Sequence, residues 1–88
     1  MTVYMAERNL KGISMDDLAA AQRRAIDTAR QMSEQGTQVR YIRSMFVPDE
    51  GRCECLFAAD DAETVRALND KAGLPYTRVV EAMDLTPP

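Results

Sequence analysis

Gln38-Val39-Arg40-Tyr41-Ile42-Arg43-Ser44-Met45-Phe46-Val47-Pro48-Asp49-Glu50-Gly51-Arg52-Cys53-Glu54-Cys55-Leu56-Phe57-Ala58-Ala59 reads as two strands around a tight turn. Gln38 to Val47 is rich in Val, Tyr, Ile and Phe, side chains that suit a pleated, half-buried surface. Pro48-Asp49-Glu50-Gly51 is turn chemistry, because proline presets φ at an early turn position and glycine supplies a positive φ. Arg52 to Ala59 then runs back beside the first strand. So short a connection leaves no room for a crossover, and the pair is an antiparallel hairpin.

Each side of the hairpin carries a helix and then a further strand. Upstream, Ser14 reads as an N-cap, with Asp17 three residues later as a variant capping box. Asp16 and Asp17 also place negative charge at the positive end of the helix dipole. Leu18, Ala21, Ala25, Ala29 and Met32 recur at spacings of three and four, which makes one apolar stripe, and Ile26 widens it. Gly36 is a suitable stop. Before this helix, Thr2 to Arg8 is a strand, broken by Asn9-Leu10-Lys11-Gly12. Downstream, Asp60 is expected to cap the second helix, with Glu63 closing the box. Val65, Leu68 and Ala72 form its stripe, Gly73 ends it and Pro75 prevents continuation. Tyr76 to Met83 reads as the last strand, and Thr86-Pro87-Pro88 as a frayed tail.

Strand, helix, strand, strand, helix, strand is the order of the split βαβ, ferredoxin-like α+β sandwich. Right-handed crossovers put both helices on one face of a four-stranded antiparallel sheet. The 88 residues make one domain, residues 1–88, with no repeat, linker or low-complexity block. Hydrophobic content of 45 % with 28 % charged residues is a globular composition. A net charge of −3, with the arginines spread along the chain, argues against a nucleic-acid binder. No apolar run approaches the ~18 residues of a membrane span, and Met1 to Glu7 does not read as a signal peptide. Two cysteines on one strand give no disulfide framework, so a reducing cytoplasm is expected.

Both helices on one face leave the other face bare. Alternation along the strands points Tyr4, Ala6, Ile42, Phe46, Cys53, Cys55, Phe57 and Val80 at the helices. The opposite parity holds Val3, Met5, Glu7, Tyr41, Arg43, Met45, Glu54, Leu56, Val79, Glu81 and Met83. A bulge would flip part of a strand. That second set exposes more apolar surface than monomers usually do, so a homodimer packing sheet to sheet is expected.

The candidate ligand-binding residues are Glu7, Tyr41, Arg43, Glu54 and Glu81, all assigned to the bare face. Glu7 is read as a carboxylate paired with Arg43 across the sheet, or as a base in a cleft between sheet and partner. Glu54 and Glu81 join it as a possible hard-cation or proton-transfer cluster. Cys53-Glu54-Cys55 sets two thiols on one strand face, about 7 Å apart by the strand repeat. They suit a soft metal or redox chemistry, but two sulfurs alone are an incomplete site and the chain has no histidine. Small buried apolar side chains are the preferred reading of both, and no metal residue and no cofactor are assigned. Nor is there a glycine-rich phosphate loop, a Ser-His-Asp set or a nucleophile elbow.

Asp49-Glu50-Gly51-Arg52 followed by Cys55-Leu56, then Asp61-Ala62-Glu63 and Val65, Ala72-Gly73-Leu74-Pro75 and Val79-Val80-Glu81 carry a family resemblance, to which Tyr4 to Arg8 adds the first strand. The chain resembles a family of small ferredoxin-like proteins, mostly of unknown function, that includes a nickel-binding, nickel-responsive homodimeric member. The resemblance implies a homodimer that uses its open sheet faces. It does not imply nickel: that member relies on histidines, and Leu74 stands where one of them is found. Neutral imidazole is the usual borderline-soft ligand for nickel.

The first functional reading is therefore a small homodimeric ligand-binding or accessory protein with no nucleic-acid or membrane partner. The alternative is a small cofactor-independent enzyme of the oxygenase, isomerase or cyclase type, which such dimers resemble. Glu7 would be its base, with Tyr41 and Arg43 orienting the substrate in the cleft over the open face. A metal-handling protein is the third reading.

Overall fold

The computed structural model describes residues 1–88. Its elements are β1 (Thr2–Asn9), α1 (Met15–Glu34), β2 (Val39–Val47), β3 (Arg52–Ala59), α2 (Ala62–Ala72) and β4 (Arg78–Glu81). The strands form one antiparallel sheet in the order β2-β3-β1-β4. This is the ferredoxin-like arrangement expected from the element order. No helix is long and apolar enough to cross a membrane.

Local chemistry explains where the helices begin. The Ser14 hydroxyl accepts a hydrogen bond from the Asp17 backbone N–H at 3.1 Å. Along α1, Ala21, Ala25, Ala29 and Met32 are buried, and these small side chains let the helix lie close on the sheet. The cap of α2 falls one residue later than expected. Asp61, not Asp60, accepts from the Thr64 backbone N–H at 2.8 Å. That backbone hydrogen bond holds the Asp61 carboxyl below its ordinary range. With the cap shifted, Glu63 no longer sits at the third helical position; it pairs with Arg66 at 2.7 Å instead.

Gly51 is fixed by more than its φ of 72° in the β2–β3 turn. A Cβ there would collide with the backbone of Lys11, and the Gly51 carbonyl accepts from the Leu10 N–H at 2.6 Å. The turn and the β1–α1 loop are thereby locked together.

Phe57, Val65 and Leu68 are fully buried in a core that includes Ala6, Cys53, Cys55 and Leu74. The strand-face assignments of five residues, in β2 and β4, are corrected. In β2 the register jumps between Tyr41 and Arg43, so Tyr41 pairs with Phe57, Arg43 pairs with Leu56, and Ile42 is the extra residue. Tyr41 therefore faces the helices, its ring edge-on to Phe57 at 5.7 Å, and Ile42 lies outside the helix-side core. In β4, Val79 pairs with Ala6 and Val80 with Met5, the reverse of the expected parity. Glu81 consequently shares the register position of Tyr4, on the helix-side parity. The strand is also shorter than Tyr76 to Met83. Beyond it, Asp84 reaches Arg43 on β2 at 2.9 Å, which ties the chain's end to the opposite edge of the sheet.

Candidate functional site

Between α1 and the sheet lies a cavity of about 150 Å³, lined mostly by apolar side chains. Alternation along β3 brings Cys53 and Cys55 to it, β1 contributes Arg8, and β2 contributes Tyr41 and Ser44. Ala21, Gln22 and Ala25 of α1 form the opposite wall. The floor residues Arg8, Cys53 and Cys55 are buried, whereas Gln22 is exposed and Tyr41 and Ser44 are half-buried at the rim.

Arg8 is only 3 % exposed. Its Nη1 donates to Asn69 Oδ1 at 2.8 Å and to the Pro75 carbonyl at 3.1 Å. Asn69 is fixed in turn by its own bond to the Val65 carbonyl at 2.8 Å. Both acceptors are neutral. None of the ion pairs in the molecule includes Arg8. A buried cation without a counter-charge is costly, so Arg8 favours negative charge in the cavity beside it.

The cavity's hydrogen bonds converge on sulfur. Gln22 Nε2 donates to Tyr41 Oη at 2.9 Å, and Tyr41 Oη is 2.6 Å from Ser44 Oγ. Ser44 Oγ donates to Cys55 Sγ at 3.0 Å. Since Ser44 has a single hydroxyl hydrogen, Tyr41 must be the donor to Ser44, and the whole relay points at Cys55. Cys53 Sγ lies 3.8 Å from Cys55 Sγ and completes the set of donors. The Cys53 hydrogen bond, the Arg8 charge and the Ser44 hydroxyl together lower the Cys55 thiol well below its ordinary value, against the opposing effect of burial. Cys53 moves up, because it keeps the proton that Cys55 accepts and is desolvated.

The bare-face candidates do not assemble as expected. Glu7 pairs with Arg78 of the neighbouring β4 at 3.0 Å, not with Arg43. The reason is topological: β3 separates β1 from β2, and Arg43 takes Asp84 instead. Glu7 stands directly opposite Glu54 in the β1–β3 register, a like-charge juxtaposition relieved by Arg78 and by Arg52, which reaches Glu54 at 3.1 Å. Glu81 lies on the other parity and outside this cluster. Tyr41 is on the helix side of the sheet, so Glu7, Tyr41 and Arg43 do not form one constellation. Of the five candidates, only Tyr41 lines the cavity.

Arg8, Ser44 and Gln22 were not singled out in the sequence. Arg8 carried a signal: it continues the Tyr4, Ala6 parity, which puts a guanidinium at a core position. The two thiols are much closer than the strand repeat suggests, since that repeat separates Cα atoms and the side chains lean together.

Residues 4–82 match the family described as "Nickel responsive protein SCO4226-like". The chain belongs to the SCO4226-like family. Among solved structures, one that superposes is the "Crystal structure analysis of SCO4226 from Streptomyces coelicolor A3(2)", with a TM-score of 0.79 and 21 % identity, covering 96 % of this chain and 99 % of that one. At that identity the likeness shows the shared ferredoxin-like fold. No functionally curated protein matches the chain. The donor set of this SCO4226-like chain does not fit nickel. There is no histidine, and nowhere do three His, Cys, Asp or Glu side chains converge.

Proposed function

We propose that this SCO4226-like chain is a small homodimeric ligand-binding protein that holds its ligand in the cavity beneath α1. The observation that carries this reading is Arg8, a buried arginine that lines a small cavity and makes no ion pair. Such a charge is an unfavourable element of a purely structural core, and it stabilises negative charge in the cavity, whether a thiolate's or a bound group's. A volume of about 150 Å³ is below the usual ~300–1,000 Å³ of pockets for drug-sized molecules. The ligand is therefore an ion or a molecule of a few heavy atoms. The two free thiols suit a reducing cytoplasm.

The homodimer rests on the open face. Val3, Met5, Leu56 and Val80 lie there half-buried, and Met45 is 54 % exposed. Apart from Arg40 at the edge, the charges on that face pair with one another, which leaves a surface of low net charge suited to a second copy.

Phenol is a suitable probe of the cavity, since it matches the volume and the apolar wall. Titrated at millimolar concentration against ¹⁵N-labelled protein, it should shift the amides of Ala21, Ser44 and Cys55. Unmoved amides at these positions would contradict a cavity open to small ligands.

A further inference from the structure

Two thiols and one buried cation share the cavity, and their spacing and charge select a ligand class. We propose that Cys53 and Cys55 chelate a single soft monovalent ion of the Cu(I) class; this rests on reading the cavity as the ligand site. Four observations meet here.

The first is the number of donors. Two sulfurs converge and no third His, Cys, Asp or Glu joins them. Hard cations need six or more oxygens, and zinc takes four ligands. Thiolates select soft ions, and a d¹⁰ monovalent ion is content with two of them.

The second is the spacing. The sulfurs are 3.8 Å apart. With metal–sulfur bonds of about 2.3 Å, a bent bridge spans that distance and a linear one spans about 4.6 Å. Rotation about the two Cα–Cβ bonds is the adjustment that would widen the pair from the bent to the linear spacing.

The third is charge. Coordination releases to solvent whatever protons the two thiols still hold and leaves two thiolates. A monovalent ion reduces their charge to −1, and Arg8 brings the buried site to zero. A divalent ion would leave the site at +1 in a water-poor interior, an uncompensated charge of the kind interiors avoid. Arg8 therefore discriminates between ionic charges without touching the metal.

The fourth is the surrounding shell. Ser44 donates to Cys55 Sγ and is itself held by Tyr41 and Gln22. Hydrogen bonds of this sort orient a ligating sulfur. Because Gln22 is exposed and Tyr41 half-buried, the relay also runs from the rim to the sulfur and marks an entry path.

The test is an anaerobic competition titration of the reduced full-length chain with Cu(I) against bathocuproine disulfonate. One Cu(I) per chain is expected, and Zn(II) should not displace it. Cys53→Ala and Cys55→Ala should each weaken Cu(I) binding on the order of a hundredfold or more, since the chelate advantage is lost. Amide spectra of both variants establish that they remain folded. If either does not, Ser44→Ala serves as the second variant; it keeps both sulfurs and should still bind one Cu(I), more weakly. Wild-type binding no tighter than that of a single-cysteine variant would overturn the proposal. Zn(II) binding as tightly through the same two sulfurs would overturn the charge argument. Should Cu(I) fail while phenol still shifts the cavity amides, the ion is wrong and the ligand site stands.

Discussion

Replacing Arg8 by Met removes a buried charge while keeping most of the side-chain volume. Arg8 makes two hydrogen bonds, to Asn69 Oδ1 and to the Pro75 carbonyl, and Asn69 is fully buried. Orphaning a buried acceptor costs about 1–3 kcal/mol. The Cys55 thiol also loses a positive neighbour that lowers it. Against these losses, burying Met in place of a guanidinium removes a desolvation penalty. The net expectation is a loss of about 2–4 kcal/mol, large beside the roughly 4–13 kcal/mol available to a chain of this length. Asn69→Leu alone leaves the guanidinium short of an acceptor and should cost about 1.5–3 kcal/mol. The double variant presents two apolar side chains to each other, so it should be more stable than the sum of the single effects by about 1–2 kcal/mol. Urea unfolding of the four proteins measures the cycle, and thiolate absorbance measures Cys55. Arg8→Met should move the Cys55 titration back toward its ordinary value. Additive single effects together with an unmoved thiol titration would refute the role given to Arg8.

Met45→Asp places an unpaired charge on the open face and should weaken dimerisation; sedimentation of wild type as a monomer at tens of micromolar would contradict the dimer itself. Gly51→Ala forces an L residue into positive φ against the Lys11 backbone and should cost about 2 kcal/mol or more, read from urea midpoints. Glu7→Gln and Arg78→Met should couple by less than about 1 kcal/mol in a double-mutant cycle, because the pair is half in solvent. The metal-free protein should gain stability with pH between about 6 and 9. Cys55 is lowered from 9.0 to about 6, so its contribution is full above 9.0 and is lost as pH falls through about 6. Cys53 is raised, so its contribution is full below 9.0 and fades above it, which turns the rise into a fall. The groups facing the pair are Arg8, Ser44, Tyr41 and Gln22, of which only Arg8 carries charge in this range. Urea midpoints of wild type and Cys55→Ala across that window check the sign.

The hairpin was readable because proline and glycine bracket its turn, and β3 occupies Arg52–Ala59 as expected. Ser14 was readable because a single hydroxyl precedes an unambiguous stripe. Asp60-Asp61 was not, since either carboxylate can cap and only the onset of helical backbone chooses between them. Tyr41 was misplaced by a bulge that leaves no mark in the residue pattern of β2. Val79-Val80 offers two equivalent side chains, so nothing local sets its parity; pairing with Ala6 and Met5 does. The cavity escaped notice for a different reason. Arg8, Ser44 and Gln22 are unremarkable singly and come from β1, β2 and α1; only the packing of α1 on the sheet brings them to the cysteines. The family, by contrast, was legible from short segments along nearly the whole chain, and the match over residues 4–82 bears it out.

The most direct measurement is a crystal structure of the reduced protein soaked in Ag(I), a redox-stable stand-in for Cu(I), with the metal located by anomalous scattering. The expected result is one peak per chain inside the cavity, within bonding distance of both Cys53 Sγ and Cys55 Sγ and with Arg8 still on Asn69. A peak confined to the open face among Glu7, Glu54 and Met45, or a cavity that stays empty, would contradict the site.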